Sequence, residues 1–173
     1  MRKRLDFDNV PNYPVLDEDG NERWVSRSVV IVALIKWNNK VVVVKRATNE
    51  NITMGGYWCM PCGYLDWNEN IEEAVVREVY EETGIDLREH LHTMNLVEVI
   101  SEPYGRKQDV SFHYLIEMDE ECSVPPAIDK TVLDTEETVD AVWIKWEEIK
   151  HLDVAFNHDF RIMANFLNDK NGN

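Results

Sequence analysis

The sequence lacks a hydrophobic run long enough to cross a bilayer, and it is poor in cysteine and glycine. Its 173 residues include three cysteines and seven glycines. The longest apolar runs, such as residues 29–35, are far shorter than the roughly 20 residues of a transmembrane helix. The basic N-terminus, M-R-K-R-L-D-F-D, leads into no apolar signal segment. We therefore expect a cytoplasmic protein without membrane association, whose thiols are reduced.

Positive charge is also scarce. The chain carries 18 Lys and Arg residues against 33 Asp and Glu residues, which gives a formal net charge of −15. Because binding to duplex nucleic acid depends on clustered basic residues, this composition argues against such a partner. A small phosphorylated substrate is compatible with the composition, but it needs a cation to approach so acidic a surface.

Apolar residues are spread along the whole length and predict one mixed α/β domain. They make up 44% of the chain, which is enough for one sizeable core at this length. β-branched runs predict strands, buried on both faces, at 28–37 and 41–46. Further strands are expected at 94–101, 109–118 and 139–146, with a hairpin at 15–25 and a C-terminal helix at 156–168.

A helix is predicted over residues 70–83. Asn70 is a suitable N-cap, because Glu73 follows it at the capping-box spacing. Gly84 is a suitable C-terminal stop, since glycine adopts the left-handed conformation that ends many helices. Apolar side chains at four-residue steps supply a stripe for the core: Ile71, Val75 and Val79.

Three carboxylates, Glu78, Glu81 and Glu82, share one side of this helix, away from the apolar stripe. Like charges at this spacing repel by roughly 0.2–0.5 kcal/mol per pair, and the C-terminal end of a helix disfavours negative charge. A solvated acidic face is the simplest alternative. A bound divalent cation accounts better for the cluster, because hard cations take oxygen ligands and remove the repulsion. Mg²⁺ typically combines one or two carboxylates with substrate phosphates and water.

Residues 63–85 read G-Y-L-D-W-N-E-N-I-E-E-A-V-V-R-E-V-Y-E-E-T-G-I. This segment resembles the Nudix box of the Nudix hydrolases at every specified position, from Gly63 through Glu69 to Gly84. The resemblance implies the family's α/β/α sandwich with a mixed central sheet in a single domain. Residues 1–25 would then form an N-terminal extension with the hairpin, and residues 26–170 the Nudix hydrolase domain.

The resemblance also implies roles for individual residues. Glu78, Glu81 and Glu82 correspond to the glutamates that bind divalent cations, Mg²⁺ or alternatively Mn²⁺, and the backbone carbonyl of Gly63 joins them as a ligand. Glu69 and Arg77 correspond to a pair that braces the loop against the helix. The general base is open between Glu78 and a downstream acid, Glu136 or Glu137.

The reaction implied by the resemblance is attack of water on a phosphorus of a pyrophosphate linkage in a nucleoside diphosphate derivative. ADP-ribose or a nucleotide sugar is the expected substrate class. A nucleoside triphosphate or dinucleoside polyphosphate pyrophosphohydrolase is the enzymatic alternative. A catalytically silent nucleotide-binding regulator is the non-enzymatic alternative, and the intact glutamate set disfavours it. A homodimer is compatible with the sequence.

Candidate substrate-binding residues lie beside and after the box. Tyr57 and Trp58 precede it and could stack on a nucleobase, although tryptophan is more often part of a core. The loop at 102–108 contains Pro103, which is similar to a feature of ADP-ribose hydrolases, and Tyr104, which is similar to one of dinucleoside polyphosphate hydrolases. Arg106 suits a phosphate contact because its planar fork binds two oxygens. A strand-connecting turn is the alternative for this loop.

The segment C-M-P-C (59–62) has the C-x-x-C spacing of redox and zinc sites. No second cysteine pair and no suitably spaced histidine accompanies it in the sequence, which argues against zinc. A redox pair typically opens a helix, whereas Gly63 and a loop follow here. Cys62 stands where many Nudix proteins have the first glycine of P-G-G. The sequence thus favours a structural interpretation of both thiols.

Overall fold

The structure, a computed structural model, describes residues 13–50, 52–101, 109–118 and 123–168. Within these ranges a two-stranded hairpin precedes a seven-stranded mixed sheet with a helix on each face. The strands are β1 (Tyr13–Leu16), β2 (Glu22–Val25), β3 (Val29–Trp37), β4 (Lys40–Arg46), β5 (Trp58–Cys59), β6 (Cys62–Tyr64), β7 (Met94–Ile100), β8 (Val110–Glu117) and β9 (Thr138–Lys145). The helices are α1 (Ile71–Thr83) and α2 (Asn157–Asn168). Neither is long and apolar enough to cross a membrane.

Strands β3 and β4 form the centre of the large sheet. β3 pairs in parallel with β8 over eight residues, from Val29↔Val110 to Lys36↔Glu117, and antiparallel with the short β6. β4 pairs antiparallel with β9 on one side and with β5 near its end. β7 completes the sheet beside β8. The parallel pairing of β3 with β8, beside the antiparallel pairs, makes this sheet mixed.

Alternate residues of β3 serve two separate cores. Ile31, Ala33 and Ile35 pack with the apolar stripe of α1, and Val32 and Leu34 pack with α2 on the other face. Successive strand residues point to opposite faces, so a strand between two helical layers must be apolar at every position. The prediction that both central strands are buried on both faces is therefore confirmed.

Local sequence signals place α1 as predicted. The Asn70 side chain accepts a hydrogen bond from the backbone of Glu73, and the Glu73 side chain accepts one from the backbone of Asn70. Gly84 ends the helix with φ of 72° and donates its N–H to the Tyr80 carbonyl. The caps therefore determine where the carboxylate-bearing turns lie along the helix.

The remaining predicted elements are present, with small changes at their ends. The hairpin pairs Leu16 with Glu22 across its turn, and residues 94–100, 110–117, 138–145 and 157–168 form the expected strands and helix. The sequence did not predict β5 and β6, because two or three residues are too few to show a period. Two 3-10 turns, Arg88–Thr93 and Trp146–His151, follow α1 and β9. The division at residue 25 stays a prediction, and residues 1–12 lie outside the described ranges.

Candidate active site

A cavity of about 570 Å³ lies against α1 and β6. Among the described residues that line it, eight are acidic and two are cationic. The acidic ones are Asp66, Glu78, Glu81, Glu82, Asp109, Asp134, Glu137 and Asp159. The cationic ones are Arg46, at the end of β4, and Arg77, in α1. Such an excess of carboxylates suits a cavity that holds a cation.

Two of the three clustered glutamates near the end of α1 are buried. Glu78 is 6% and Glu82 is 4% exposed, whereas the side chain of Glu81 is 48% exposed. Glu78 and Glu82 lie one helical turn apart, so they occupy the same face, and β6 contacts this side of α1. β6 thus covers the carboxylates of Glu78 and Glu82. A helical projection of the sequence does not reveal this burial.

Gly63 allows β6 to approach the helix closely. A β-carbon at Gly63 would overlap the Glu78 carboxylate, so a larger residue at this position would displace it. Gly63 is also held in register, because it pairs with Ile31 of β3. Gly63 and the carboxylate of Glu78 therefore share one small space.

Each carboxylate oxygen of Glu82 accepts a hydrogen bond from a neighbouring residue. Its Oε2 accepts a hydrogen bond from the Cys62 backbone N–H at 2.9 Å, and its Oε1 accepts one from the Thr138 hydroxyl at 2.9 Å. Burial raises the pKa of Glu82 well above its ordinary value and raises the pKa of Glu78 to about 7, because the charged forms lose their hydration. A cation beside them would favour the charged forms instead.

Arg77 connects the loop before α1 to the glutamates of the helix. Its Nε and Nη2 donate to the two carboxylate oxygens of Glu69 at 2.9 and 2.6 Å, and Nη2 also donates to the Tyr64 carbonyl at 3.0 Å. Its Nη1 donates to Glu78 Oε1 at 2.8 Å and to Glu81 Oε2 at 3.1 Å. These bonds from Arg77 lower the pKa of Glu69. The predicted contact between Glu69 and Arg77 is present, and Arg77 touches two of the candidate metal ligands as well.

The donor set fits a hard divalent cation. Over the described ranges, no three carboxylate, imidazole or thiol groups converge into a closed metal cage. Mg²⁺ does not require one, because it is usually held by one or two carboxylates together with phosphate oxygens and water. Glu78 and Glu82 could supply oxygen ligands at the cavity wall, where the Glu78 carboxylate fills the space that a side chain at Gly63 would take.

Residues 25–166 match the family model of the NUDIX domain, which is 142 of the 173 residues. The match includes α1, β6 and the residues that line the cavity. The chain belongs to the NUDIX family. The predicted Nudix-type α/β/α sandwich in a single domain is confirmed.

Relatives of this Nudix chain include proteins named for ADP-ribose. An ADP-ribose pyrophosphatase of Methanocaldococcus jannaschii is 38% identical over 58 residues, 34% of this chain and 32% of that protein. The NUDIX domain of Shewanella oneidensis NrtR, complexed with ADP ribose, is similar over 87% of this chain and 92% of that chain, with a TM-score of 0.64 and 18% identity.

A further structural neighbour was solved with a metal ion. A bifunctional NMN adenylyltransferase/ADP ribose pyrophosphatase from Francisella tularensis, complexed with AMP and a Mn ion, is similar over 85% of this chain and 42% of that chain. Its TM-score is 0.64 at 22% identity. Both structural likenesses show the fold alone at these identities. The chain spans between about a third and two fifths of the length of the curated relatives it matches.

The structure separates the two candidate downstream acids of this Nudix chain. Both are exposed, but Glu137 lines the cavity, whereas Glu136 is not among the lining residues. Tyr57 and Trp58 are not among them either: Tyr57 is exposed, and Trp58 packs against the core on the α2 face. Three other candidates, Pro103, Tyr104 and Arg106, lie outside the described residues.

Arg46 and Phe156 are cavity residues that the sequence reasoning missed. The guanidinium of Arg46 lies 5.2 Å from the centre of the Phe156 ring, and its Nε donates to the Thr53 carbonyl at 2.9 Å. Arg46 ends β4, in a K-R pair that follows the apolar run at 41–44, and such a pair in an acidic chain was a signal that could have identified it. Phe156 carried no such signal, because it reaches the cavity from the segment before α2.

Proposed function

We propose that this Nudix protein hydrolyses a pyrophosphate bond in a nucleoside diphosphate derivative of the ADP-ribose or nucleotide-sugar type, in a reaction that depends on Mg²⁺ and accepts Mn²⁺. The observation that carries the proposal is the burial of Glu78 and Glu82 beside Gly63 at the wall of the cavity. Burial of carboxylates costs free energy unless positive charge compensates them. Arg77 compensates one oxygen of Glu78, whereas the hydrogen bonds described for Glu82 come from a backbone N–H and a hydroxyl, and this supports a cation site beside Glu82.

The ligands in this proposal are Glu78, Glu81, Glu82 and the Gly63 carbonyl. A bound ion would shield the phosphate charge and lower the pKa of a coordinated water. The Thr138 hydroxyl and the Cys62 N–H orient Glu82 by hydrogen bonds to separate oxygens. Side chains restrained in this way keep their geometry while substrate binds, which favours catalysis by positioning.

Arg77 orients the other two glutamates. It holds Glu78 and Glu81 through one nitrogen, while its other nitrogens are bound to Glu69 in the preceding loop. Because a guanidinium is planar and rigid, a movement of the loop that carries Glu69 would also move the carboxylates of Glu78 and Glu81. Glu69 and Arg77 thus have a positioning role in the proposal.

Arg46 is the group we assign to the phosphate oxygens of the substrate. The contacts described for it are a backbone carbonyl, a thiol and an aromatic ring, and none of these is a carboxylate. Its guanidinium has no hydrogen bond to a carboxylate among the described residues, so it can meet an anion in a cavity where acidic side chains outnumber cationic ones. The cavity volume of about 570 Å³ lies within the usual range for small-molecule sites.

The general base is assigned to Glu137 or to Glu78, with Glu137 preferred over Glu136 because Glu137 lines the cavity. Glu78 has a pKa of about 7 in the metal-free protein, near the value that suits proton transfer at neutral pH. However, a metal ion bound to Glu78 would favour its charged form, and the carboxylate would then no longer take up a proton readily. Glu137 lies outside the helix and avoids this conflict.

Turnover assays test the proposal. Purified protein is incubated with ADP-ribose, with Mg²⁺ or with a chelator, and AMP and ribose 5-phosphate are quantified. Formation of both products only with the ion is expected. Binding of ADP-ribose without products would overturn the proposal in favour of a nucleotide-binding regulator.

A substrate panel separates the enzymatic alternatives. It contains nucleotide sugars, dinucleoside polyphosphates, NADH, coenzyme A and nucleoside triphosphates, and each is scored by its released products. Preference for ADP-ribose or a nucleotide sugar is expected, and cleavage of triphosphates alone would contradict the substrate assignment. A homodimer, a cytoplasmic location and the exclusion of duplex nucleic acid stay predictions from the sequence.

A further inference from the structure

The two cysteines of the C-M-P-C segment are placed side by side by the central sheet. Cys59 ends β5 and pairs with Val44 of β4, and Cys62 begins β6 and pairs with Val32 of β3. Both are free thiols, and Cys62 packs against the buried cluster that contains Cys59. The sheet therefore holds the two cysteines next to each other, with two residues between them.

A guanidinium supplies the positive charge that a helix N-terminus supplies in many redox pairs. Arg46 Nη1 lies 3.8 Å from the Cys59 sulfur, and the same side chain is held by the Thr53 carbonyl and the Phe156 ring. A neighbouring cation stabilises a thiolate relative to a thiol. Arg46, from β4, thus favours the thiolate of Cys59, the thiol that closes the disulfide in the second step proposed below.

The two thiols differ in access. Cys62 lines the cavity, whereas Cys59 is fully buried behind it. A small oxidant that enters the cavity can reach Cys62, and Cys59 lies next to Cys62 in the buried cluster. One reachable thiol and one adjacent partner is the arrangement found in reversible thiol oxidation.

We propose that Cys59 and Cys62 are a modification site, at which hydrogen peroxide forms a reversible disulfide in the wall of the cavity. The sulfur of Cys62 takes one peroxide oxygen, the O–O bond breaks, and the thiol proton leaves with the other oxygen as water. The sulfur of Cys59 then displaces the hydroxyl from Cys62, and that hydroxyl leaves with the Cys59 proton as a second water. Two electrons pass from the two sulfurs to one peroxide, and a dithiol reverses the change by exchange.

The disulfide also affects the candidate metal ligand Glu82, an inference that rests on the proposed function. The backbone N–H of Cys62 donates to Glu82 at 2.9 Å, and Cys62 directly precedes Gly63. A ring closed between residues 59 and 62 changes the position of this N–H relative to the carboxylate, since disulfide geometry is specific. Oxidised protein is therefore expected to turn over substrate more slowly than reduced protein.

The intact mass of the protein tests the modification directly. Cys122→Ser removes the third cysteine, so that only this pair is left to react. Treatment with peroxide should remove the mass of two hydrogens, and dithiothreitol should restore it. In the background of Cys122→Ser, the further change Cys59→Ser should prevent that loss and leave added oxygen on Cys62. An unchanged mass, or added oxygen without the loss of hydrogens while both cysteines are present, would overturn the proposal.

Turnover of the same samples tests the effect on Glu82 separately. Peroxide should lower the rate of the Cys122→Ser protein several-fold, and dithiothreitol should recover it. A disulfide that forms without any change in rate supports the modification site but overturns its link to Glu82. If no substrate is hydrolysed in either state, the proposed function fails while the mass measurement still decides the thiol chemistry.

Discussion

The carboxylate of Glu78 occupies the space that a side chain at Gly63 would fill. This relationship joins β6, which is fixed in the sheet by its pairing with β3, to the helix that carries the acidic cluster. Glu78 is consequently buried at the wall of the cavity rather than solvated. The Nudix box is thus a packing unit as well as a set of candidate ligands.

Gly63→Ala should disturb the site while the protein stays folded. No left-handed φ is found at Gly63, so alanine is allowed by the backbone, but its β-carbon displaces the Glu78 carboxylate. A displacement of about 1 Å can cost about 100-fold in rate, and a loss of this order in kcat/KM is expected. Gly20→Ala is the control, because φ there is 81° and the space around it is open. That variant should lose some stability in the hairpin and keep its turnover.

Glu82→Gln should abolish most metal-dependent hydrolysis and leave the protein folded. The amide can still accept from the Cys62 N–H and donate to the Thr138 hydroxyl oxygen, but it offers a cation no charge. A loss of at least about 3 kcal/mol in transition-state stabilisation, or about 100-fold in kcat/KM, is expected.

Thermal unfolding of Glu82→Gln provides a second measurement. Without metal, the unfolding temperature should equal or exceed that of the unchanged protein, because a buried carboxylate has been replaced by a neutral group. Addition of Mg²⁺ should stabilise only the unchanged protein, since an ion that binds the folded state alone raises its stability. Full activity of Glu82→Gln would refute its assignment as a ligand.

Arg77→Lys should weaken the connection between the loop and the helix. Lysine keeps the charge but cannot bind both oxygens of Glu69 and the Tyr64 carbonyl together with Glu78. Hydrogen bonds to charged groups contribute about 1.5–3 kcal/mol when buried, and partial exposure of Arg77 reduces the expected loss in unfolding free energy to about 1–2 kcal/mol. Arg88→Lys, in the exposed pair with Asp86, is the control and should have no measurable effect. Equal stability of the two variants would contradict the positioning role.

Glu137→Gln and Glu136→Gln form a matched pair for the general base. A positioned base contributes about 100- to 10,000-fold to a rate, so Glu137→Gln should lower kcat by about 100-fold if Glu137 takes the proton. Glu136→Gln should stay within about twofold, because its side chain lies outside the cavity wall. A large loss in Glu136→Gln with none in Glu137→Gln would reverse the assignment. No loss in either variant would leave Glu78 as the base.

Local signals in the sequence predicted most of the fold. The capping box at Asn70 and Glu73 and the glycine stop at residue 84 involve neighbours in the chain, so residue types and spacing suffice to place α1. The continuous apolar runs of β3 and β4 likewise indicated a layer on each face. β5 and β6 escaped prediction because their pairing with distant strands, rather than any period of their own, makes them strands.

The sequence by itself determined the identity and spacing of the acidic cluster, since positions one turn apart on a helix must share a face. Only the tertiary structure decided that Glu78 and Glu82 are buried. It also decided that Arg77 hydrogen-bonds to two glutamates of the cluster and that Arg46 lies beside Cys59. These contacts join residues from separate strands and helices, such as Glu82 and Thr138, which are 56 positions apart. Their formation depends on strand register and on the packing of α1 against the sheet, which no local pattern of residues encodes.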